Sequence, residues 1–224
     1  MKNNKKRNAI MIIITVIVCC IFMAFIETIV EPPYFIKSLI KIIVFFLLPI
    51  LTMKLLGIKI FKKHTIIDKK IVLRLLITGI VIYLSIMIAY YILNKFLDFS
   101  SIINSLSMDQ NVSGKDFIFV ALYISFCNSL LEEFLFRYFS FIKLSEFLSK
   151  KWSYVISSIL FAIYHISMVG SSFPLSLILL MIFGLSIGGF IFDYVDDKDK
   201  NISNSWIIHM FADFSIMTIW FLNI

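Results

Sequence analysis

The sequence predicts an all-α, polytopic transmembrane helical bundle of about seven spans. Three observations carry that expectation. Of the 224 residues, 60% are hydrophobic and only 16% charged, where a soluble domain has about 45–50% and about 25%. The mean hydropathy is +0.96. The apolar residues fall in seven runs with short basic tracts beside them, each run near the roughly 20 residues that cross about 30 Å of hydrocarbon.

The runs lie near 9–30, 34–56, 72–93, 117–140, 153–169, 174–193 and 205–222, and the fourth continues as helix to about Leu144. The first follows "MKNNKKR", which looks like the charged start of a signal peptide. Its apolar stretch exceeds the usual length of about 7–15 residues and no cleavage site follows, so an uncleaved span is expected. Lys2, Lys5, Lys6 and Arg7 place the N-terminus in the cytoplasm by the positive-inside rule. Lys59, Lys62, Lys63, Lys69 and Lys70 agree, as do Lys143, Lys150 and Lys151. The intervening "EPP" and the polar stretch 97–116, a loop or short interfacial helix, then lie outside. The acidic loop "DYVDDKDK" falls on the cytoplasmic side, a mild discord because acids weigh little in the rule. In the sixth run, Gly184 and Gly188, with Ser186 and Gly189 nearby, read as small residues that let helices approach closely. Cys19, Cys20 and Cys127 have no zinc or disulfide spacing and read as packing residues.

The net charge of +7 fits topology and contact with the anionic lipid bilayer, and no nucleic-acid motif accompanies it. There are no internal repeats. The chain divides at the level of motifs into residues 1–116, the N-terminal helices and external loop without a motif, and 117–224, a helical core that carries the chemistry. Frequent Ile, Lys and Asn point to an AT-rich bacterial source, hence a multi-pass protein of a bacterial cell membrane.

Ionisable groups within a span cost about 2.5–3.5 kcal/mol each on insertion scales, so they face a protein interior or a water-filled cavity and serve a function by default. In "NSLLEEFLFRYFSF", Arg137 lies about 40° around an α-helix from Glu133 but about 140° from Glu132. Glu133 and Arg137 form an i,i+4 pair in the favourable orientation, a structural ion pair. Glu132 points elsewhere without a local partner and is a candidate general base. Phe161 and His165 share a face of the fifth span, and His209 and Asp213 share a face of the seventh. The three spans bring these groups to a similar depth, in a cavity opening toward the cytoplasmic side. One carboxylate and two imidazoles suit water activation in either of two ways. Glu132 and one histidine polarise water directly, or Glu132, His165 and His209 bind a divalent metal such as zinc with an open position. The remaining histidine and Asp213 would then face a developing oxyanion.

The ordered set of EExxxR (Glu132, Glu133, Arg137), FxxxH (Phe161, His165) and HxxxD (His209, Asp213) resembles the CPBP group. That group comprises type II CAAX prenyl proteases and the bacteriocin-processing and immunity proteins also called the Abi family. The resemblance covers about residues 117–222. It implies an intramembrane endopeptidase acting on a membrane-associated protein or peptide. By the same resemblance Glu132 and His165 activate water, while His209 and Asp213 stabilise the oxyanion. The group is often labelled metalloprotease, yet this mechanism requires no cofactor. Two departures stand out. Tyr138 follows Arg137 where the family usually has Gly, and Asp213 stands where Asn is frequent. An ionised Asp213 cannot donate a hydrogen bond, so it is protonated or orients His209 instead. The competing classes are a non-catalytic membrane immunity or scaffold protein and a proton-coupled transporter. The absence of repeat symmetry weighs against the last.

Overall fold

The computed structural model describes residues 2–60, 69–96, 117–169 and 175–222. They are helical throughout, with no strand among them. Six helices are long and apolar enough to cross a membrane. These are α1 (Asn4–Val30), α2 (Tyr34–Leu55), α3 (Lys69–Leu93), α4 (Ile118–Glu146), α6 (Leu175–Asp197) and α7 (Ser203–Leu222). The seventh expected span is also a helix, α5 (Lys150–Val169). It falls outside the six because two lysines, five serines, a histidine and two tyrosines dilute its apolar residues. The stretch 97–116 lies outside the described residues.

Local chemistry sets the helix ends. Glu31 takes a left-handed backbone (φ 46°) and returns its N–H to the Ile26 carbonyl. Pro32 and Pro33 follow and cannot continue a helix. After α2, Gly57 adopts φ +67°, a conformation glycine takes without a Cβ penalty, and the N–H groups of Leu56, Gly57 and Ile58 close on Thr52, Lys54 and Met53. Between α6 and α7 the turn is tied by a carboxylate. Asp196 accepts the Ser205 N–H at 2.9 Å and the Ser205 hydroxyl at 2.7 Å, which satisfies a first-turn donor of α7 and sets negative charge at its N-terminus. Asn204 Nδ2 donates to the Val195 carbonyl across the same turn.

Two compact units divide the chain. The first comprises residues 1–65 and 131–205. Its most extensive helix pairing joins α5 to α6. There a Cβ on Gly189 would meet the Ser158 Cα at 3.0 Å, whereas a Cβ on Gly184 or Gly188 would meet no described atom within 4 Å. Close approach is therefore made by Gly189, not by the pair spaced four apart. The interior of this unit is aromatic. Phe45 sets its edge against Phe136 and Tyr164 at centroid distances of 6.0 and 5.1 Å, and Phe136 against Phe161 at 5.4 Å. Serines 153, 157 and 158 are buried beside them. Polar interiors and apolar exteriors suit lipid, which solvates Ile and Leu side chains as well as a core does.

The second unit comprises residues 66–130 and 206–224. Gly79 of α3 leaves room for the Phe211 ring of α7, since a Cβ there would sit 2.3 Å from it. Tyr83 and Thr218 join the same helices through their hydroxyls at 3.1 Å, and Trp206 Nε1 donates to the Phe126 carbonyl. Ala121, Met217 and Trp220 form a small core. Cys19 and Cys20 are buried as expected of packing residues, but Cys127 is exposed. It lies on the outward face of α4, beside exposed Phe126.

The acidic stretch after the sixth run corrects the sequence reading. Asp193 to Asp197 belong to helix α6 rather than to a loop, and Asp193 and Asp196 are fully buried. Their apolar neighbours Phe190 to Phe192 continue the helix, and the carboxylates find partners inside the unit.

The Gly189 contact is testable by substitution. Gly189→Leu should force α5 and α6 apart and cost about 1–3 kcal/mol, read as a lower melting temperature of the detergent-extracted protein. Gly188→Leu should leave that temperature close to wild type.

Candidate active site

The helix α4 delivers the central residues. It is α-helical through Ser129–Glu133 and then widens to π-type i→i+5 bonding over Phe134–Lys143. Such widening is uncommon and is frequent at functional sites. All ten side chains of the widened stretch are buried. Each residue there turns through less than the α-helical 100°, yet the pair anticipated from α-helical spacing still meets. Arg137 Nε lies 3.3 Å from Glu133 Oε2 and 3.8 Å from Asp193 Oδ1, with all three side chains fully buried. The guanidinium also lies over the rings of Phe161 and Phe192, 4.2 and 5.1 Å from their centroids. That is the planar, weakly hydrated cation best suited to such a site. Ser157 Oγ sits 2.9 Å from the Phe136 carbonyl and 3.1 Å from Asp193 Oδ1, and Ser158 Oγ donates to Asp193 Oδ2. Asp193 is thereby fixed from α5 on one side and from α4 on the other.

Glu132 occupies different surroundings. Its Oε1 accepts a hydrogen bond from Lys41 Nζ at 2.8 Å. Its Oε2 lies 3.3 Å from His165 Nε2. The opposite ring nitrogen, Nδ1, is 2.9 Å from the Phe161 carbonyl. A carbonyl only accepts, so Nδ1 carries the proton, and Nε2 is the nitrogen turned to the carboxylate. Phe161 also packs on the imidazole at a centroid distance of 4.3 Å. The i,i+4 relation of Phe161 and His165 thus supplies both a ring and a carbonyl, and the two together fix the tautomer and plane of the histidine.

Local spacing leaves Glu132 without a partner, and the structure corrects this. Its partner comes from 91 residues earlier, a separation that helical geometry cannot reveal. The signal was nevertheless in the sequence: "FIKSLIKIIVFF" places Lys41 inside the second apolar run, and an ionisable group in a span is grounds for attention. Glu27, near the end of the first run, meets the same criterion and receives the Tyr164 hydroxyl at 3.4 Å. Asp193 and Asp196 complete the set that spacing alone passed over.

The first unit therefore holds Glu132, Glu133, Arg137 and His165, and the second holds His209 and Asp213. Within the second, His209 Nε2 lies 3.6 Å from Asp213 Oδ1, one turn apart on α7.

Residues 114–215 match the family model described as type II CAAX prenyl endopeptidase, Rce1-like. This segment is an Rce1-like domain. The Rce1-like domain takes in Glu132, Glu133, Arg137, His165, His209 and Asp213, while Lys41 and Glu27 precede it. No curated protein and no solved structure matches the chain. With its apolar helices, the Rce1-like domain makes this a multi-pass membrane protein of CAAX prenyl endopeptidase type, and its substrates are membrane-associated.

The buried ion pair yields a prediction about folding. Arg137→Ala strands the carboxylates of Glu133 and Asp193, and Glu133→Ala removes one of the two acids facing Arg137. Loss of one partner of a buried pair costs about 3–5 kcal/mol. Both variants should accumulate as much less folded membrane protein, measured by fluorescence-detected size-exclusion chromatography.

Proposed function

We propose that the protein is an intramembrane endopeptidase in which Glu132 and His165 activate the water that hydrolyses a peptide bond. The observation that carries this reading is the Glu132 Oε2 to His165 Nε2 approach of 3.3 Å, with the far side of each group already engaged. A water at these two atoms loses a proton to them as its oxygen attacks the scissile carbonyl carbon. The same proton then passes to the departing amine, so the pair ends the cycle as it began. His209 stabilises the oxyanion, a role resting on the order of motifs in the Rce1-like domain. Its neighbour Asp213, acceptor-only when ionised, orients His209 rather than donating to the substrate, in keeping with the 3.6 Å spacing of Asp213 Oδ1 and His209 Nε2. Glu133 and Arg137 have a structural role.

A divalent metal fits the chemistry of these donors. His165 presents Nε2 beside a carboxylate oxygen while Nδ1–H donates to a carbonyl, the outer arrangement usual for a ligating histidine. Glu132 and His165, with His209 as a third donor, would hold zinc. When bound, it would polarise water and the scissile carbonyl. The substrate is a membrane-associated protein or peptide, the N-terminus faces the cytoplasm and the source is bacterial, by the charge and composition given above.

The test uses purified protein in proteoliposomes with two quenched-fluorescent probes, a farnesylated CAAX peptide and its unlipidated counterpart. Glu132→Ala, His165→Ala and His209→Ala should each lower cleavage by about 100-fold or more while membrane accumulation persists. Full biological activity in these variants would establish an immunity or scaffold role instead. Elemental analysis of active protein decides the metal: a stoichiometric ion, with chelator inhibition and rescue by zinc, is the signature of the metal-bound form.

A further inference from the structure

We propose that Lys41, which lies outside the Rce1-like domain, is the positioning residue that aims Glu132 at His165. The proposal rests on the role given to Glu132 above. Lys41 is 4% exposed and its ammonium lies 5.2 Å from the ring centroids of both Phe45 and Tyr164. Those rings are themselves buried and packed on each other at 5.1 Å, so they form a rigid cradle. Phe45 is one turn beyond Lys41 on α2, and Tyr164 is the immediate neighbour of His165 on α5. The cradle thus ties the cation to the helix that carries the histidine.

The two oxygens of Glu132 are divided between neighbours. Oε1 accepts from Lys41 at 2.8 Å and Oε2 faces His165 Nε2 at 3.3 Å. A glutamate side chain has a broad terminal torsion and turns easily about its last bond. A short, charge-assisted bond to one oxygen removes that freedom and leaves the other oxygen directed at the imidazole. Lys41 does not touch the reacting atoms. It acts through the carboxylate it holds, and errors near 1 Å in such geometry cost about 100-fold in rate.

Lys41→Met keeps the length and bulk of the side chain and removes the cation. In proteoliposomes with the two quenched-fluorescent peptides, kcat per folded molecule should fall about tenfold or more. KM should stay within about twofold, since no substrate contact is lost. Lys41→Arg, which retains a donor cation, should recover most of the loss. A second readout needs no turnover. The chain has three histidines, His64, His165 and His209, so ¹⁵N-histidine NMR in nanodiscs, assigned with His165→Ala, isolates the His165 Nε2 resonance. That resonance should shift in Lys41→Met and stay near wild type in Lys41→Arg. A wild-type kcat or an unmoved resonance in Lys41→Met overturns the proposal. So does a loss of activity in both variants that matches their loss of folded protein. Wild-type cleavage by Glu132→Ala would instead overturn the function on which the proposal rests.

Discussion

Arg137 is a guanidinium with no exposed surface, set between two carboxylates and two phenylalanine rings. Desolvating such a cation costs several kcal/mol before any compensation. The compensation here draws on three helices, because Glu133 shares α4 with Arg137 while Phe161 belongs to α5 and Phe192 and Asp193 to α6. Each of these helices is held in place partly by the need to keep that charge neutralised. Gly189 and Ser158, which bring α5 against α6, let the acid and the rings reach it. The same demand fixes the neighbouring residue. With Glu133 engaged inward, Glu132 must project to another sector of the helix, toward α2 and α5.

The two carboxylates, adjacent in sequence, therefore meet different chemistry. Glu133 faces a cation locked among rings and serines. Glu132 faces an ammonium through one oxygen and an imidazole through the other. Identical side chains acquire distinct capabilities from the helices that surround them. The imidazole is prepared in a parallel way, since the Phe161 carbonyl takes its Nδ1 proton and leaves Nε2 turned to the carboxylate.

Much of this was legible in the sequence, and the reasons differ by residue. Helix positions followed from hydrophobic run length, because lipid requires internally satisfied backbone and a span of nearly fixed length. The pairing of Glu133 with Arg137, and of Phe161 with His165, needed only the spacing of a helix. Lys41 and Asp193 needed tertiary contact, which no local period encodes. Asp196 was hidden differently. A run of acids after an apolar stretch reads as a solvated loop unless one knows that the next helix begins eight residues on and requires a cap. Gly184 and Gly188 had the spacing of a packing motif but face outward, because α6 turns its Gly189 edge to α5.

The widened stretch of α4 bears on how this chain can change length. An i→i+5 turn accommodates one residue more than an α turn over the same hydrogen-bonded closure. Removing a single residue between Phe134 and Lys143 would let the helix revert to α geometry without breaking it. Everything beyond the deletion would rotate by about 100° relative to Glu132 and Glu133, carrying Lys143 away from its present face. Homologous chains that differ by one residue in this stretch would then keep the upstream motif intact while presenting a different surface from the same helix to α5. An insertion or deletion here is a rotary adjustment, and a gap in an alignment at this point marks a change of face, not a lost element.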